Sequence, residues 1–524
     1  MKKFYITTPI YYVNASPHIG HSYTSIAADT LARYHRQGLG KDNVWFLTGT
    51  DEHGQKIRKA ADEAKITPQE FVDKVSVQFR ELWKALDISY DDFIRTTEKR
   101  HISFVQRALD IVNKKGDIYE SKYEGLYCTP CETFWTELQA VGGICPDCKR
   151  PVEKISETNY FFRLSKYQDW LISYINEHPE FIKPDSRREE VLSFLRLNKL
   201  TDLCISRPKE RLNWGIPLPF APDHVTYVWF DALINYISAV GSFNDDGKYV
   251  SKWWDEETDV IHLIGKDILR QHAVYWPIML HALGIRQPTT VFAHGWWMID
   301  QAKMSKSRGN AVNPVDMVNQ FGLDTYRYFL LRDVPFGLDG NFSEEAIIKR
   351  FNDDLANDLG NLVYRTLTMI EKYYQGKIPE IDDKSVRFDG IAESINKILN
   401  WYLCSDTPHL SDIPNNPSPG LSIDRAMRYE IQEFNFSGAL AGLWEVINMA
   451  NKYVEEAKPW NLSKEGKAEE LKVFIRTLVK VIRNVGEAIS PFMPHTSISI
   501  KEQLGGDVIK KGAPLFPRID TKAK

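Results

Sequence analysis

Cysteine is scarce in this sequence, which contains only 6 cysteines among 524 residues. A disulfide framework is not expected, because such frameworks belong to short, cysteine-dense secreted domains. Long apolar runs are also missing, since no segment approaches the ~18 consecutive apolar residues of a membrane-spanning helix. The segment after Lys2 and Lys3 is too short and too polar for a signal peptide. These absences predict a cytoplasmic protein without a membrane partner.

Charge of one sign does not dominate either, because 66 Lys and Arg residues stand against 70 Asp and Glu residues, a net charge of −4. The net charge therefore says little about partners, and a nucleic-acid binder of this balance must gather Lys and Arg on one local surface. The 43% of hydrophobic and 26% of charged residues are typical of a globular protein. At roughly 150 residues per domain, the length suggests three or four domains.

Strand and helix patterns alternate through much of the chain. Strands separated by helical stripes predict an α/β fold with a parallel sheet and right-handed crossovers. Paired cysteines, Gly and Pro from about 118 to 215 interrupt the pattern and indicate an insertion, and the periodicity after about 345 is helical. The first strand is expected to end at Pro9. The predicted strands are residues 4–8, 43–48, 92–97, 259–265 and 289–294.

The segment Pro17-His-Ile-Gly-His21 follows the first strand and opens the first helix. Ligands collect at the carboxyl ends of parallel strands, and a helix N-terminus offers N–H groups to phosphate. His18 and His21 are three residues apart, so both can face one side of the opening turn. Gly20 lets a flat base approach the backbone. On their own, two histidines at a helix start more often have a structural role.

A second motif, Lys303-Met-Ser-Lys-Ser307, follows the last predicted strand. Two lysines three apart among small hydroxyl residues form a cationic loop, which suits a polyphosphate whose charge grows as pyrophosphate leaves. An isolated pair of this kind is usually a solvated turn. Together and in this order, the two motifs resemble the HIGH and KMSKS signatures of class I aminoacyl-tRNA synthetases.

Four cysteines of the insertion have the spacing of a metal site. Cys128-x-x-Cys131 and Cys145-x-x-Cys148 are separated by thirteen residues, and two such pairs can close a tetrahedral Zn²⁺ knuckle. With four protein ligands, the predicted zinc, one per chain, has no open position for a catalytic water and is structural. A redox pair or an iron–sulfur cluster is the alternative.

From about residue 3 to 500 the sequence resembles the methionyl-tRNA synthetases, and the short insertion lacks room for the editing module of the isoleucine, valine and leucine enzymes. The motifs that carry this resemblance are Thr8–Asn14, Gly49–Gly54, Val228–Tyr236, Ile264–Ile268, His272–Trp276 and His294–Trp296. The resemblance implies activation of L-methionine by Mg²⁺-bound ATP, then transfer to tRNA(Met), including initiator tRNA.

The resemblance also implies a fold, namely a Rossmann-like parallel-sheet catalytic domain interrupted by a zinc-knuckle insertion and followed by an all-α anticodon-binding helix bundle. The expected segments are the first catalytic half with the HIGH motif (1–117), the insertion (118–215), the second catalytic half (216–295), the KMSKS loop and connecting segment (296–345), the helical domain (346–512) and a polar tail (513–524).

Residue roles follow from the same resemblance. The catalytic residues are expected to be His18, His21, Lys303 and Lys306. ATP is expected to contact these four together with Gly20, Gly265, His294 and Ser305. Methionine is expected at Ile10, Tyr12, Asp51, Trp229, Ala232, Tyr236, Ile268 and His272, and the anticodon at Asn361, Arg365 and Trp460. Basic residues between Lys458 and Arg483 are expected to supply local positive charge.

Three alternatives stay open at this point. A class I synthetase for another amino acid, such as valine or cysteine, would keep the chemistry and change the pocket. A small-molecule nucleotidyltransferase would share the His-x-Gly-His pattern but would not need a knuckle and a long helical region. A non-catalytic tRNA-binding relative would not need the four His and Lys residues. A monomer is expected, because a C-terminal dimerisation domain of OB type, which the family often carries, is not recognised.

Overall fold

The computed structural model describes residues 2–13, 16–128, 133–135, 137, 139–146, 148–299, 302–303, 312–380 and 423–520. Two compact units divide the chain, Met1–His294 and Gly295–Lys524.

The first unit contains most of the strands and nine helices of the described chain. Its strands are β1 (Lys3–Tyr12), β2 (Val44–Asp51), β3 (Asp92–Arg95), β4 (Ile118–Cys128), β5 (Thr133–Trp135), β6 (Glu153–Phe162), β7 (Ile182–Lys183), β8 (Leu203–Cys204), β9 (Ser206–Pro208), β10 (Pro217–Leu218), β11 (Ala221–Thr226), β12 (Gly241–Phe243), β13 (Tyr249–Ser251), β14 (Thr258–Gly265) and β15 (Thr290–His294). Its helices are α1 (Ile19–Leu39), α2 (Gln55–Glu63), α3 (Pro68–Ala85), α4 (Lys99–Lys114), α5 (Gln168–Glu177), α6 (Asp185–Leu197), α7 (Val228–Leu233), α8 (Asn235–Ser238) and α9 (Trp276–Leu283).

Six strands of the first unit form one parallel sheet, in the order β3-β2-β1-β14-β15-β7. The expected parallel α/β fold is therefore confirmed. The central strands are covered on both faces, and Tyr5, Ile6 and Phe46 are fully buried. Strand order reverses between β1 and β14, so a crevice opens at the carboxyl ends of these two strands.

The expectation that the first strand ends at Pro9 is wrong, because β1 continues to Tyr12. Proline has no N–H to donate to the ladder, and the pairing with β2 shifts register between Thr7 and Ile10. After this bulge the ladder resumes, with Ile10 opposite Gly49 and Tyr12 opposite Asp51. The bulge thus carries the last residues of β1 to the edge where ligands bind.

The segment expected as an insertion contains an antiparallel sheet in the order β5-β4-β6-β8 and part of a second sheet, β10-β11-β9. It also contains β7, which pairs in parallel with β15, with Ile182 opposite Val291. The outermost strand of the catalytic sheet therefore comes from within residues 118–215.

The second unit is mainly helical. Its strands β16 (Trp297–Ile299), β17 (Ala302–Lys303) and β18 (Gly340–Asn341) form a small sheet. Its helices are α10 (Pro314–Phe321), α11 (Leu323–Arg332), α12 (Glu344–Arg350), α13 (Asn361–Tyr374), α14 (Ile423–Gln432), α15 (Phe436–Ala457), α16 (Pro459–Lys464), α17 (Ala468–Ala488) and α18 (Pro494–Leu504), with a π-helical segment, Phe351–Gly360, between α12 and α13.

Buried polar anchors hold the second unit together. The Arg327 guanidinium donates to the carbonyl oxygens of Pro491 and Phe492, at 3.0 and 2.9 Å, and the Thr496 N–H donates to the Asp324 carboxylate. The first anchor joins α11 to the loop before α18, and the second joins α11 to the first turn of α18. Within the described ranges, no helix combines the length and the apolar character of a membrane span.

Candidate active site

His18 and His21 form a reciprocal cap at the start of α1. The Gly20 N–H donates to His18 Nδ1 at 3.1 Å, and the His18 N–H donates to His21 Nδ1 at 3.0 Å. The two rings lie 4.0 Å apart between centroids, so the expectation that both face one side of the opening turn is confirmed. Because each Nδ1 accepts a backbone hydrogen bond, the proton of each neutral ring is assigned to Nε2.

Gly20 leaves space that a larger residue would take from His18. A Cβ atom at this position would lie 3.0 Å from His18 Cε1 and 3.2 Å from His18 Nδ1, closer than side chains normally pack. The absence of a side chain at this position therefore leaves room for the His18 ring in the cap.

Tyr11 supports the histidine cap from below, and sequence reasoning did not single it out. Its hydroxyl shares a 2.8 Å hydrogen bond with Ser25, and its ring meets His21 edge-on at 4.9 Å. Phe79 stacks on Tyr11 at 5.7 Å and meets the His21 ring edge-on at 5.5 Å. This aromatic packing fixes the position of the His21 ring.

The residues expected for adenine and ribose are close to one another. Gly265 and His294 are paired at the ends of β14 and β15. His294 Nε2 lies 2.7 Å from the Thr24 hydroxyl, which also donates to the Gly20 carbonyl at 3.2 Å. Thr24 is four residues after Gly20 on one helical face, a signal that could have found it.

Asp267 is a second residue that sequence reasoning missed at this edge. A Cβ atom at Gly265 would lie 2.6 Å from Asp267 Oδ1 and 3.9 Å from His294 Cε1. The carboxylate therefore sits directly against the glycine expected to contact ATP. Asp267 lies within the motif Ile264–Ile268, but the apolar pattern of this segment did not indicate that its carboxylate contacts Gly265.

A chain of hydrogen bonds links three residues expected to contact methionine. The Tyr236 hydroxyl lies 2.7 Å from His272 Nε2, and His272 Nδ1 lies 2.9 Å from the Ile268 carbonyl oxygen. Burial lowers the pKa of His272 to about 4 and raises the pKa of Tyr236, so both are neutral. Nδ1–H of His272 donates to the carbonyl, and the Tyr236 hydroxyl donates to Nε2.

The other residues expected at this end of the sheet are also at strand ends or on α7. Tyr12 and Asp51 are paired neighbours on β1 and β2, and Asp51 is buried. Ile10 precedes them on β1 and is half-buried. On α7, Ala232 is buried and Trp229 is half-buried against the core of the unit.

The cationic motif is only partly described. Lys303 belongs to strand β17, where its backbone pairs with Met298. Ser305 and Lys306 lie outside the described residues, so their expected place near the phosphates stays a prediction.

Three of the four cysteines come together in the inserted module. The sulfur atoms of Cys128, Cys145 and Cys148 all lie within 4.8 Å of one another. Sulfur ligands on a tetrahedral zinc would be ~3.8 Å apart, given a Zn–S distance of ~2.3 Å. Cys128 and Cys148 are 3.4 Å apart, too far for a disulfide bond. The donor set therefore fits zinc, and Cys131 lies outside the described residues.

The residues expected to read the anticodon lie at the surface of the second unit. Asn361 is exposed and Arg365 half-buried, one turn apart at the start of α13. Trp460 is 43% exposed in α16, an unusual position for a large aromatic side chain.

Part of the expected basic surface around Trp460 has other partners. Lys467 and Lys472 pair with the nearby Glu465 and Glu469 at 3.1 and 2.7 Å. Arg483 donates to the carbonyl oxygens of Leu504, the last residue of α18, and of Gly506 just after it. These contacts are typical of an ordinary solvent-exposed helical surface, as expected for some of the basic residues between Lys458 and Arg483.

Family models match most of the chain. The model described as tRNA synthetases class I (M) matches residues 4–154 and 151–367, and the model described as the anticodon-binding domain of tRNA ligase matches residues 424–518. Parallel sheet, histidine cap and helical unit thus define a class I aminoacyl-tRNA synthetase.

Relatives and solved structures agree. The chain is 47% identical over 541 residues to the methionine–tRNA ligase of Clostridium perfringens, covering 100% of this chain and 79% of that protein. For the ligase of Caldanaerobacter subterraneus the identity is 46%, covering 99% and 80%. The Mycobacterium tuberculosis methionyl-tRNA synthetase in complex with methionyl-adenylate superposes with a TM-score of 0.88 at 37% identity, over 99% of this chain and 100% of that one. The chain belongs to the methionyl-tRNA synthetase family, the ligases that join methionine to tRNA.

Proposed function

We propose that the chain activates L-methionine with ATP and then transfers it to the 3′-terminal ribose of tRNA(Met), initiator tRNA included. In the first step the methionine carboxylate attacks the α-phosphorus of ATP, and pyrophosphate leaves. In the second step a ribose hydroxyl attacks the carbonyl of methionyl-adenylate, and AMP leaves. The proposal rests on the presence of two features in the first unit. One is the histidine cap, which suits phosphate, and the other is the neutral Tyr236–His272 pair, which suits an apolar side chain.

His18 and His21 would bind phosphate oxygens through their Nε2–H groups. The N-terminus of α1 adds positive partial charge, worth ~0.3–1 kcal/mol toward an anion at an exposed site. Gly20, Gly265 and His294 would take the adenine and ribose. Fixed donors of this kind stabilise the charge that develops as the bond to pyrophosphate breaks.

The lysine loop would act later in the reaction. Lys303 and Lys306, with Ser305 between them, would bind the departing β- and γ-phosphates, and Mg²⁺ enters as part of its ATP complex. A carboxylate is already a nucleophile, so the first step needs no general base. Positioning and charge stabilisation supply the rate.

The methionine slot is apolar at one end and charged at the other. Asp51 would hold the α-ammonium group, and the Ile10 N–H would approach the thioether. Walls of Tyr12, Trp229, Ala232 and Ile268 would enclose the rest of the side chain, with sulfur–aromatic contacts available. Because Tyr236 and His272 are neutral, no charge opposes the entry of an apolar group.

The helical unit would select the tRNA by its anticodon. Single-stranded bases are read by stacking on aromatic rings and by hydrogen bonds at their edges. Trp460 would provide the stacking surface, and Asn361 and Arg365 the hydrogen bonds.

A structural zinc is part of the proposal. Cys128, Cys131, Cys145 and Cys148 would hold one Zn²⁺ per chain, and the bound ion would fix the shape of the inserted module. A monomeric state and a cytoplasmic location stay predictions. Sedimentation velocity of the purified chain and cell fractionation would test them.

The proposed function is tested by amino-acid-dependent ATP–pyrophosphate exchange with each of the twenty standard amino acids. Methionine alone should drive strong exchange, because the slot between Asp51 and Tyr236 matches an unbranched thioether. Equal exchange with valine, leucine or cysteine would contradict the proposal. Aminoacylation of a tRNA with the CAU anticodon, compared with a tRNA of another anticodon, tests the second step.

A further inference from the structure

Asp231, in the motif that carries Trp229 and Ala232, is a buried carboxylate between two histidines. It is 1% exposed, and its Oδ2 lies 2.7 Å from His53 Nδ1. Its Oδ1 lies 2.8 Å from His101 Nε2. Within the described residues these are its side-chain hydrogen bonds, and neither phosphate binding nor the proposed thioether contacts use them.

The contacts keep this carboxylate charged. Burial opposes its ionisation, but the electrostatic interactions and hydrogen bonds with His53 and His101 outweigh burial and lower the pKa of Asp231 to about 2. An ionised acceptor forms stronger hydrogen bonds than a neutral one. The link between Asp231 and His53 is therefore a firm one.

A second anchor lies between Asp51 and His53. The buried Glu52 carboxylate receives two hydrogen bonds from Arg95, at 2.7 and 2.9 Å, and Trp214 donates to the Glu52 carbonyl oxygen. His53 also meets the Trp214 ring edge-on at 5.5 Å. Glu52 and His53, the two residues that follow β2, are thus each held by side chains from other elements, and Asp231 supplies the contact from α7.

The position of this link matters because it joins the two ends of the proposed slot. Asp51, expected to bind the ammonium group, is two residues before His53. Trp229 and Ala232, expected to wall the side chain, flank Asp231 on α7. The Asp231–His53 bond is a direct side-chain contact between the segment that follows β2 and this helix.

We infer that Asp231 and His53 are positioning residues that set the distance between the ammonium anchor and the far wall of the slot, and so select amino acids by length. The inference rests on the proposed function. It assigns neither residue a contact with the reacting atoms.

Two substitutions of His53 distinguish the effect of losing the hydrogen bond to Asp231 from the effect of changing the size of the side chain. Asparagine places its amide nitrogen near the position of Nδ1 and can still donate to Asp231, whereas glutamine reaches toward the position of Nε2. His53→Gln should raise the KM for methionine about 10- to 100-fold, since a misplacement of ~1 Å can cost ~100-fold. His53→Asn should recover most of that loss, and Asp231→Asn should resemble His53→Gln.

Selection by length is measured with ethionine, which is one methylene longer than methionine. The ratio of kcat/KM in pyrophosphate exchange for methionine over ethionine should fall in His53→Gln and Asp231→Asn, and the KM for ATP should change by less than about threefold. Asp117→Asn is the matched control. That buried carboxylate accepts from Tyr167 and Lys166, so its loss should lower Tm without moving the ratio.

The outcomes are distinct. If His53→Asn and His53→Gln behave alike, or if the KM values for methionine and ATP rise together, the two residues only maintain the fold and the inference is wrong. If the wild-type chain shows no exchange with methionine, the proposed function fails instead.

Discussion

Two backbone N–H groups fix the rings of His18 and His21, so the phosphate-binding geometry depends on the first turn of α1. The spacing of the two histidines was enough to predict that both face one side of the opening turn of α1. They could not reveal that Gly20 is needed for the His18 ring, because that follows from a 3.0 Å approach in three dimensions.

Replacement of Gly20 by alanine should therefore affect activity more than stability. The new Cβ must displace the His18 ring, and adenylate formation should fall about 10- to 100-fold. Stability should rise or stay constant, since alanine in a helix is favoured over glycine by roughly 0.5–1 kcal/mol. Pyrophosphate exchange and thermal unfolding measure the two effects.

Gly38 provides the control in the same helix. A Cβ atom there would meet nothing within 4 Å, so Gly38→Ala should leave exchange unchanged. If Gly20→Ala kept full activity, the cap would tolerate the displaced ring and the role proposed for His18 would be wrong.

The sequence predicted most residues of the candidate site, but it did not predict the residues that come close to the site only through the pairing of distant elements. Thr24 and Asp267 gain their places only when β14 and β15 are paired beside α1. His53 and Asp231 are separated by 178 residues, and no local pattern links them.

Elements were predictable where hydrophobic periodicity was strong. Five of the six strands of the parallel sheet and α1 were predicted, because β-branched runs and helical stripes are direct signs of burial. The sixth strand, β7, was not predicted, since its two residues are too few to show a pattern. The end of β1 was not, since a proline inside a strand normally ends it. Here the bulge between Thr7 and Ile10 accommodates Pro9 and the ladder continues.

The zinc module is an element whose order should depend on its ligands. Elemental analysis should find one Zn²⁺ per chain, and Cys128→Ser with Cys145→Ser should abolish it. Aminoacylation should fall at least about tenfold, while pyrophosphate exchange is mostly kept, because we expect the module to act on the acceptor end of the tRNA rather than on ATP.

Cys204 is the matched control for these substitutions. It is buried outside the cysteine cluster, beside Arg207, so Cys204→Ser should retain the zinc. A wild-type chain without zinc, or with the visible absorption of an iron–sulfur cluster, would refute the assignment.

The function proposed for the whole molecule needs both units. Trp460 belongs to the second unit and the histidine cap to the first. Trp460→Ala should lower aminoacylation of a CAU-anticodon tRNA by about 5- to 150-fold, the equivalent of ~1–3 kcal/mol for one stacked base. Formation of methionyl-adenylate, which needs no tRNA, should be nearly unchanged.

Ile498 is an exposed apolar residue of the same unit without an aromatic ring, 54% exposed on α18. Ile498→Ala should leave aminoacylation intact. An equal fall of adenylate formation and aminoacylation in Trp460→Ala would mean that this tryptophan stabilises the fold and does not read the anticodon.

The outermost strand of the catalytic sheet has a consequence for how freely this chain can be remodelled. Because β7 comes from within residues 118–215, removing that whole segment would uncover the hydrogen-bonding edge of β15. A bare edge of an apolar strand invites pairing between molecules and aggregation. Removal of the cysteine-bearing tip alone would leave this edge covered, whereas the stretch around Ile182 must stay in any shortened version of the chain.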